Sequence, residues 1–113
     1  MLLGCVISLT GNESASLRKP AVKSLANIIN ADQSLMYHSD IGNAVSLRFT
    51  DEAKSVREAA VNLVGAYVLK SPKIANIYHS SLINCLDDSG VSVRKAVVKV
   101  SGERSELVTL VVL

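Results

Sequence analysis

Three arginines recur along this chain at nearly even spacing, and each carries the same neighbours. Arg18, Arg57 and Arg94 stand 39 and 37 residues apart. Six residues before each lies Asn12, Asp51 or Asp88. Two before each lies Ser16, Ser55 or Ser92, and one before each lies Leu17, Val56 or Val93. Self-similarity at such a period marks a stack of small units that bury their apolar faces on one another. The stretch 51–67 shows what a unit contains. Ser55 and Glu58 form a Ser-x-x-Glu capping box, which predicts a helix starting at Val56. Val56, Ala60, Leu63, Val64 and Tyr67 then fall on one apolar stripe of period 3.6.

Read in order, the chain predicts two helices per unit, the pattern of HEAT and armadillo repeats. Residues 2–9 form a first, short helix, and 10–16 a polar loop with Gly11 and Asn12. A second helix covers 17–30, with Leu17, Ala21, Leu25, Ile28 and Ile29 inward. Pro20 lacks an amide hydrogen and is harmless only in a first turn, so the regular helix is expected to begin near Lys19. A connector at 31–40 packs Leu35, Met36 and Tyr37 beneath it. A helix at 41–49 follows, with Ile41, Ala44, Val45 and one of Leu47 or Arg48 at the seam. The capped helix runs to about residue 70. Its Gly65 costs about 1 kcal/mol against Ala, which implies close approach of a neighbouring helix. Lys70-Ser71-Pro72 reads as a stop and restart, with Ser71 as N-cap and Pro72 as first helical residue. Ile74, Ile77, Tyr78, Leu82, Cys85 and Leu86 face inward on the next helix. Val93 opens the last, with Val97 and Val100 inward. The fold class expected is all-α, a solenoid of about three helix pairs at 1–32, 33–70 and 71–102.

Residues 103–113 break the pattern. Their end, 107–113, is uncharged, β-prone and free of proline, a composition that favours aggregation. Outer units with uncovered apolar faces, together with this tail, predict a marginally stable chain and suggest a piece of a larger solenoid. The 113 residues are 49% apolar and 19% charged, which suits a single small globular segment with an aliphatic core. Cys5 and Cys85 have no metal-type spacing and read as reduced thiols of an intracellular protein. No Lys or Arg precedes Arg18, so the apolar N-terminus does not read as a signal peptide, and no apolar run has membrane-spanning length.

Nothing in the sequence assembles a catalytic site, a cofactor site or a metal site. His38 and His79 are isolated, and the glycines are scattered rather than grouped into a phosphate loop. Arg18, Asp51, Arg57, Asp88 and Arg94 are expected to form a structural ladder in which loop carboxylates accept from arginines of adjacent units. A second set is expected at the surface. Lys19 and Lys23 follow Arg18 at the same offsets as Lys95 and Lys99 follow Arg94, and each pair is i, i+4 on one helix face. Such a stripe suits an ordinary solvated face or a set of nucleic-acid phosphate contacts. In the middle repeat Glu58 and Asn62 interrupt it. The net charge of +2 alone does not announce nucleic-acid binding.

Ser55-Val56-Arg57-Glu58-Ala59-Ala60 followed by Leu63 and Gly65, and then Gly90-Val91-Ser92-Val93-Arg94-Lys95 one repeat later, resemble the HEAT repeats of the Nipped-B-type cohesin loader family. The resemblance covers about residues 11–100. Ala96 stands where that family commonly has a basic residue. The resemblance implies a nuclear, chromatin-associated scaffold that loads cohesin and stimulates its ATPase without being one. It implies cohesin subunits and the loader's partner subunit as partners, DNA or chromatin as a further contact, and neither a membrane nor a small-molecule substrate. The rival is a HEAT or armadillo scaffold of another pathway, of transport-receptor or phosphatase type.

Overall fold

A computed structural model describes residues 2–68 and 70–102 of the chain. Expectations about the tail 103–113 lie outside the described residues. Six helices follow in order: α1 (Leu2–Thr10), α2 (Ala15–Ala31), α3 (Ser39–Arg48), α4 (Lys54–Val68), α5 (Pro72–Cys85) and α6 (Val91–Gly102). A short 3₁₀ helix, Gln33–Tyr37, links α2 to α3, and no strand occurs among the described residues. α1 packs on α2, α3 on α4 and α5 on α6. α2, α4 and α6 lie side by side in that order, and α1 also touches α3. The result is a two-layer helical solenoid with α4 at its centre.

The core is aliphatic, as the stripe of α4 requires. Val56, Ala60, Val61 and Val64 are wholly buried, and Leu63 and Tyr67 nearly so. Leu25 and Ile29 of α2, Ile41 and Val45 of α3, Ile74, Tyr78 and Leu82 of α5, and Val93 and Val97 of α6 complete it. Gly65 is where α4 meets α6. A methyl group there would overlap Val100 Cγ2, so the missing side chain is what lets the two helices approach.

Every second helix begins earlier than its serine. α4 starts at Lys54, not Val56, which places Ser55 inside the first turn and removes it from the N-cap role. α6 starts at Val91 rather than Val93, and α2 at Ala15 rather than Leu17. The cause is the residue six before each arginine. Oδ1 of Asn12, Asp51 and Asp88 accepts from the amides of Ser14, Ala53 and Gly90, at 2.9, 2.9 and 2.7 Å. This Asx turn folds the loop early. The carbonyls of Ser14, Ala53 and Gly90 then accept the first helical bonds, from residues 17 and 18, 56 and 57, and 93 and 94. Ser71 does cap α5: its hydroxyl accepts from Ile74 N–H, and Pro72 follows as the first helical residue.

Four further expectations need correction. α2 runs straight through Pro20; Pro20 and Ser16 are both exposed, so water reaches the Ser16 carbonyl that Pro20 leaves without an amide. Leu17 is 47% exposed, whereas its counterparts Val56 and Val93, at the same position of α4 and α6, are buried. Ile77 is 55% exposed on α5, where Ile74, Ala75 and Tyr78 take the inward side. In the connector Met36 alone is fully buried; Leu35 is half-buried and Tyr37 exposed, with its hydroxyl 3.0 Å from that of Ser71. The open choice between Leu47 and Arg48 at the α3 seam, by contrast, falls to Arg48, with Leu47 exposed.

Candidate functional site

The loops 11–14, 49–53 and 86–90 carry a continuous polar ladder. Arg18 rises from the first turn of α2 and extends its guanidinium to the next unit, where Nε and Nη2 donate to Asp51 Oδ2 and Oδ1 at 2.8 and 2.9 Å. Its Nη1 donates back to the carbonyls of Asn12 and Glu13 in its own loop, both at 2.9 Å. Arg57 repeats the arrangement. Nε and Nη2 donate to Asp88 Oδ2 and Oδ1 at 2.7 and 2.8 Å, and Nη1 to the carbonyls of Asp51 and Glu52 at 2.7 and 3.2 Å. Arg94 begins a third rung with Nη1 on the carbonyl of Asp88 at 2.5 Å. Arg18 and Arg57 each therefore tie their own loop to the following one through a two-pronged carboxylate contact, the geometry for which a planar guanidinium is suited.

The electrostatics follow from this geometry. Burial raises the cost of charge on Asp51, but the hydrogen bonds from Arg18, the amide of Ala53 and the positive charges of Arg18 and Arg48 outweigh it and hold the carboxyl below its ordinary range. Asp88 is lowered chiefly by its bond from Arg57, against burial, with help from the Gly90 amide and Arg94. Burial pushes the Cys85 thiol up, with Asp88 adding to it, so Cys85 behaves as an apolar core residue and not as a nucleophile. Arg48 was not expected in the ladder. Its Nη1 donates to Asp51 Oδ2 at 2.8 Å, three residues along the chain. Its place three residues before a loop aspartate, at the end of a helix, was the available signal. An open polar cleft of about 490 Å³ lies along the first rung, lined by Asn12, Glu13, Arg18, Arg48, Asp51 and Glu52 among others.

The lysines occupy a different face. Lys19 is half-buried on α2, and Lys23 beside it is exposed; Lys95 and Lys99 are exposed on α6. α4 lies between them and presents Glu58 and Asn62 at the corresponding positions. The four lysines therefore form two pairs on the outer helices of one layer, not one unbroken stripe. None of them is in an ion pair among the described residues. His38 caps α3, its Nδ1 accepting from the Asp40 amide at 3.3 Å, and His79 is half-buried on α5. Among the described residues no group of three His, Cys, Asp or Glu is placed to hold a metal ion. No helix among them is long and apolar enough to cross a membrane.

A family model described as "HEAT repeat associated with sister chromatid cohesion" matches residues 23–64 and 78–100. These segments take in about half of α2, all of α3, most of α4, the second half of α5 and most of α6, and so include Arg57 and Arg94. The chain belongs to this cohesion-associated HEAT family. Similar proteins are the Nipped-B protein of Drosophila melanogaster, 40% identical over 100 residues, and Nipped-B-like protein A of Danio rerio, 37% identical over 95. The Nipped-B-like protein scc-2 of Caenorhabditis elegans is 38% identical over 97 residues. These alignments cover 84–86% of this chain but only 4–5% of those proteins, so the chain spans a small fraction of the relatives it matches. Among solved structures, the C-terminal fragment of the Chaetomium thermophilum cohesin loader SCC2 superposes with a TM-score of 0.74 at 18% identity. That superposition covers 97% of this chain and 9% of the fragment, and it shows the shared fold. In this cohesion-type HEAT segment the loop ladder joins neighbouring helix pairs, while Lys23, Lys95 and Lys99 lie exposed away from it.

Proposed function

We propose that this chain is a non-enzymatic scaffold segment of a cohesin loader, acting in the nucleus in the loading of cohesin onto chromatin and in sister chromatid cohesion. Its protein partners on this reading are cohesin subunits and the loader's partner subunit. The observation that supports it is the family match, which falls in five of the six described helices, with relatives named Nipped-B aligned over most of the chain. The physical character of the segment agrees: a polar ladder bridges neighbouring helix pairs of the stack. A domain exchange tests it. The 100-residue matching stretch of Drosophila Nipped-B is replaced by this chain's aligned residues, and chromatin-bound cohesin is measured in cells depleted of the native protein. Recovery of cohesin on chromatin is expected. Full expression without recovery, matched by a generic HEAT segment of the transport-receptor type, would sink the assignment.

On the same reading Lys19, Lys23, Lys95 and Lys99 contact the DNA backbone. What supports this is their place in two i, i+4 pairs on the outer helices of one layer, with Lys23, Lys95 and Lys99 exposed and Lys19 half-buried, clear of the ladder and of any ion pair among the described residues. Charge reversal of all four is expected to weaken DNA binding equally for all sequences, because phosphate contacts carry no base information. The dependence of log K on log salt should flatten by about one unit per lost contact. An unchanged salt slope would remove these lysines from the interface.

A further inference from the structure

The ladder lies at the edge where α2 and α4 begin; the opposite edge, where they end, is built differently. There the 3₁₀ connector, the end of α4 and the start of α5 enclose a recess of about 220 Å³. Its floor is apolar: Met36, Tyr67 and Ile74 line it, and all three are buried. Two ammonium groups stand beside it. Lys70 Nζ lies over the Tyr67 ring, 5.9 Å from its centre, and Lys73 Nζ over the ring of Tyr37, a further lining residue, at 5.1 Å. Both lysines are exposed, and neither is in an ion pair among the described residues. A second, independent observation comes from Tyr67. It is only 6% exposed, yet its hydroxyl has no hydrogen-bond partner among the described residues. The Tyr78 hydroxyl is sealed in the core; that of Tyr67 is not, and the recess it lines is where it opens. Burial pushes the Tyr67 phenol up, so it stays protonated and able to donate.

We propose that this recess is a docking site for an acidic peptide segment of a protein partner. An apolar side chain of the peptide enters against Met36, Tyr67 and Ile74. Neighbouring aspartates or glutamates pair with Lys70 and Lys73, and one of their carboxylates accepts from the Tyr67 hydroxyl. Charge complementarity selects this occupant. The cation–π contacts hold the ammonium groups at the recess without neutralising them, so both charges remain to be met by an anion. The acid of the connector does not meet them: Asp32 Oδ1 accepts from the amide and hydroxyl of Ser34, at 3.2 and 2.6 Å. The apolar floor favours a peptide over a nucleic acid. A phosphate backbone brings charge but no side chain that gains from burial, whereas a peptide brings both on adjacent residues. A face of each tyrosine ring, on which a base would stack, is already taken by a lysine.

Fluorescence anisotropy with the full chain tests this. The probes are four dye-labelled pentapeptides in which Leu, Met, Phe or Tyr is flanked on each side by two aspartates. Saturable binding of at least one is expected below about 1 mM. Lys70→Gln combined with Lys73→Gln should weaken it on the order of tenfold, the sum expected of two exposed ion pairs. Tyr67→Phe should weaken it several-fold, and it removes only a hydroxyl that has no partner among the described residues, so the fold should be kept. Lys54→Gln, an exposed change at the ladder edge, should leave binding as it is. Several outcomes overturn the proposal: no peptide binding below about 1 mM, equal binding of peptides with asparagine in place of aspartate, or a loss with Lys54→Gln as large as that of the double variant. Displacement of the bound peptide by an equal concentration of a short DNA duplex would assign the lysines to phosphate and overturn it as well.

Discussion

The first and second rungs of the ladder share an arginine, an Asx turn and a two-pronged contact, yet they are not equivalent. At the first, Asp51 has a side chain only 1% exposed and accepts from two arginines, Arg18 and Arg48. At the second, Asp88 is 10% exposed and accepts from a single arginine among the described residues, Arg57. The difference traces to one position. Three residues before the aspartate stands Arg48 in one unit and Cys85 in the other. A carboxylate shared by two guanidinium groups is the keystone of its cluster, because its removal leaves two positive charges facing each other in a site with little water. A carboxylate with one partner, nearer the surface, is a simpler pair.

The comparison breaks most sharply with Asp51→Ala. Its loss should cost on the order of 3 kcal/mol, toward the range seen when one partner of a buried pair is removed. Asp88→Ala should cost about 1–2 kcal/mol, since water already reaches that rung and screens it. Denaturant midpoints measure both. Equal costs would mean that Arg48 adds nothing to the first rung. Acid sharpens the same contrast. Both carboxyls are held below their ordinary range in the folded chain, so each contributes stability that is fully present above the unfolded value, about 3.9 for Asp. That contribution is lost as pH falls through the folded pKa. Asp51→Asn and Asp88→Asn should each flatten stability against pH below about 4 while leaving its slope near neutrality unchanged. A profile that stays as steep in the double variant would take the ladder out of acid unfolding.

Gly65→Ala separates the rungs by geometry. The new methyl group would meet Val100, pushing α6 from α4, and the second rung reaches from α4 to the loop that leads into α6. A cost of about 1–3 kcal/mol is expected from overpacking. Exchange of the Gly90 amide, bonded to Asp88, should quicken, and that of Ala53, bonded to Asp51, should not. Equal quickening at both amides would show that the rungs open together.

Much of this was legible in the chain. The period of the arginines and the stripe of α4 carry the helix pairs and the core, because both depend on spacings that a helix imposes wherever it sits. The need for a close approach at Gly65 was legible for the same reason. What was hidden depended on neighbours. Leu17 occupies a core register yet is exposed, and only the packing of the helices in three dimensions reveals that. Arg48 could be placed at the seam but not on Asp51, since the turn of the loop brings them together. The helix starts were misread because two local signals competed. A serine followed three residues later by glutamate resembles a cap, but the Asx residue upstream closes its turn first and starts the helix before the serine is reached.

Two serines therefore make the smallest and most pointed test. Ser55 lies within the first turn of α4, while Ser71 precedes α5 and accepts from Ile74 N–H. Ser71→Ala should cost about 1 kcal/mol, the usual value of a cap, although its 3.3 Å bond points to the lower part of that range. Ser55→Ala should stay within about 0.5 kcal/mol, as a side chain with no capping duty does. The work of starting α4 falls to Asp51, so a variant that keeps Ser55 and Glu58 but lacks Asp51 should lose helix at residues 54–57. Amide exchange at Val56 and Arg57, whose bonds to the Ala53 carbonyl open the helix, reads this directly. Should Ser55→Ala unprotect those amides and Asp51→Ala leave them protected, the capping box would be the true start of the helix, and the early folding of the first loop carboxylate would have to be abandoned.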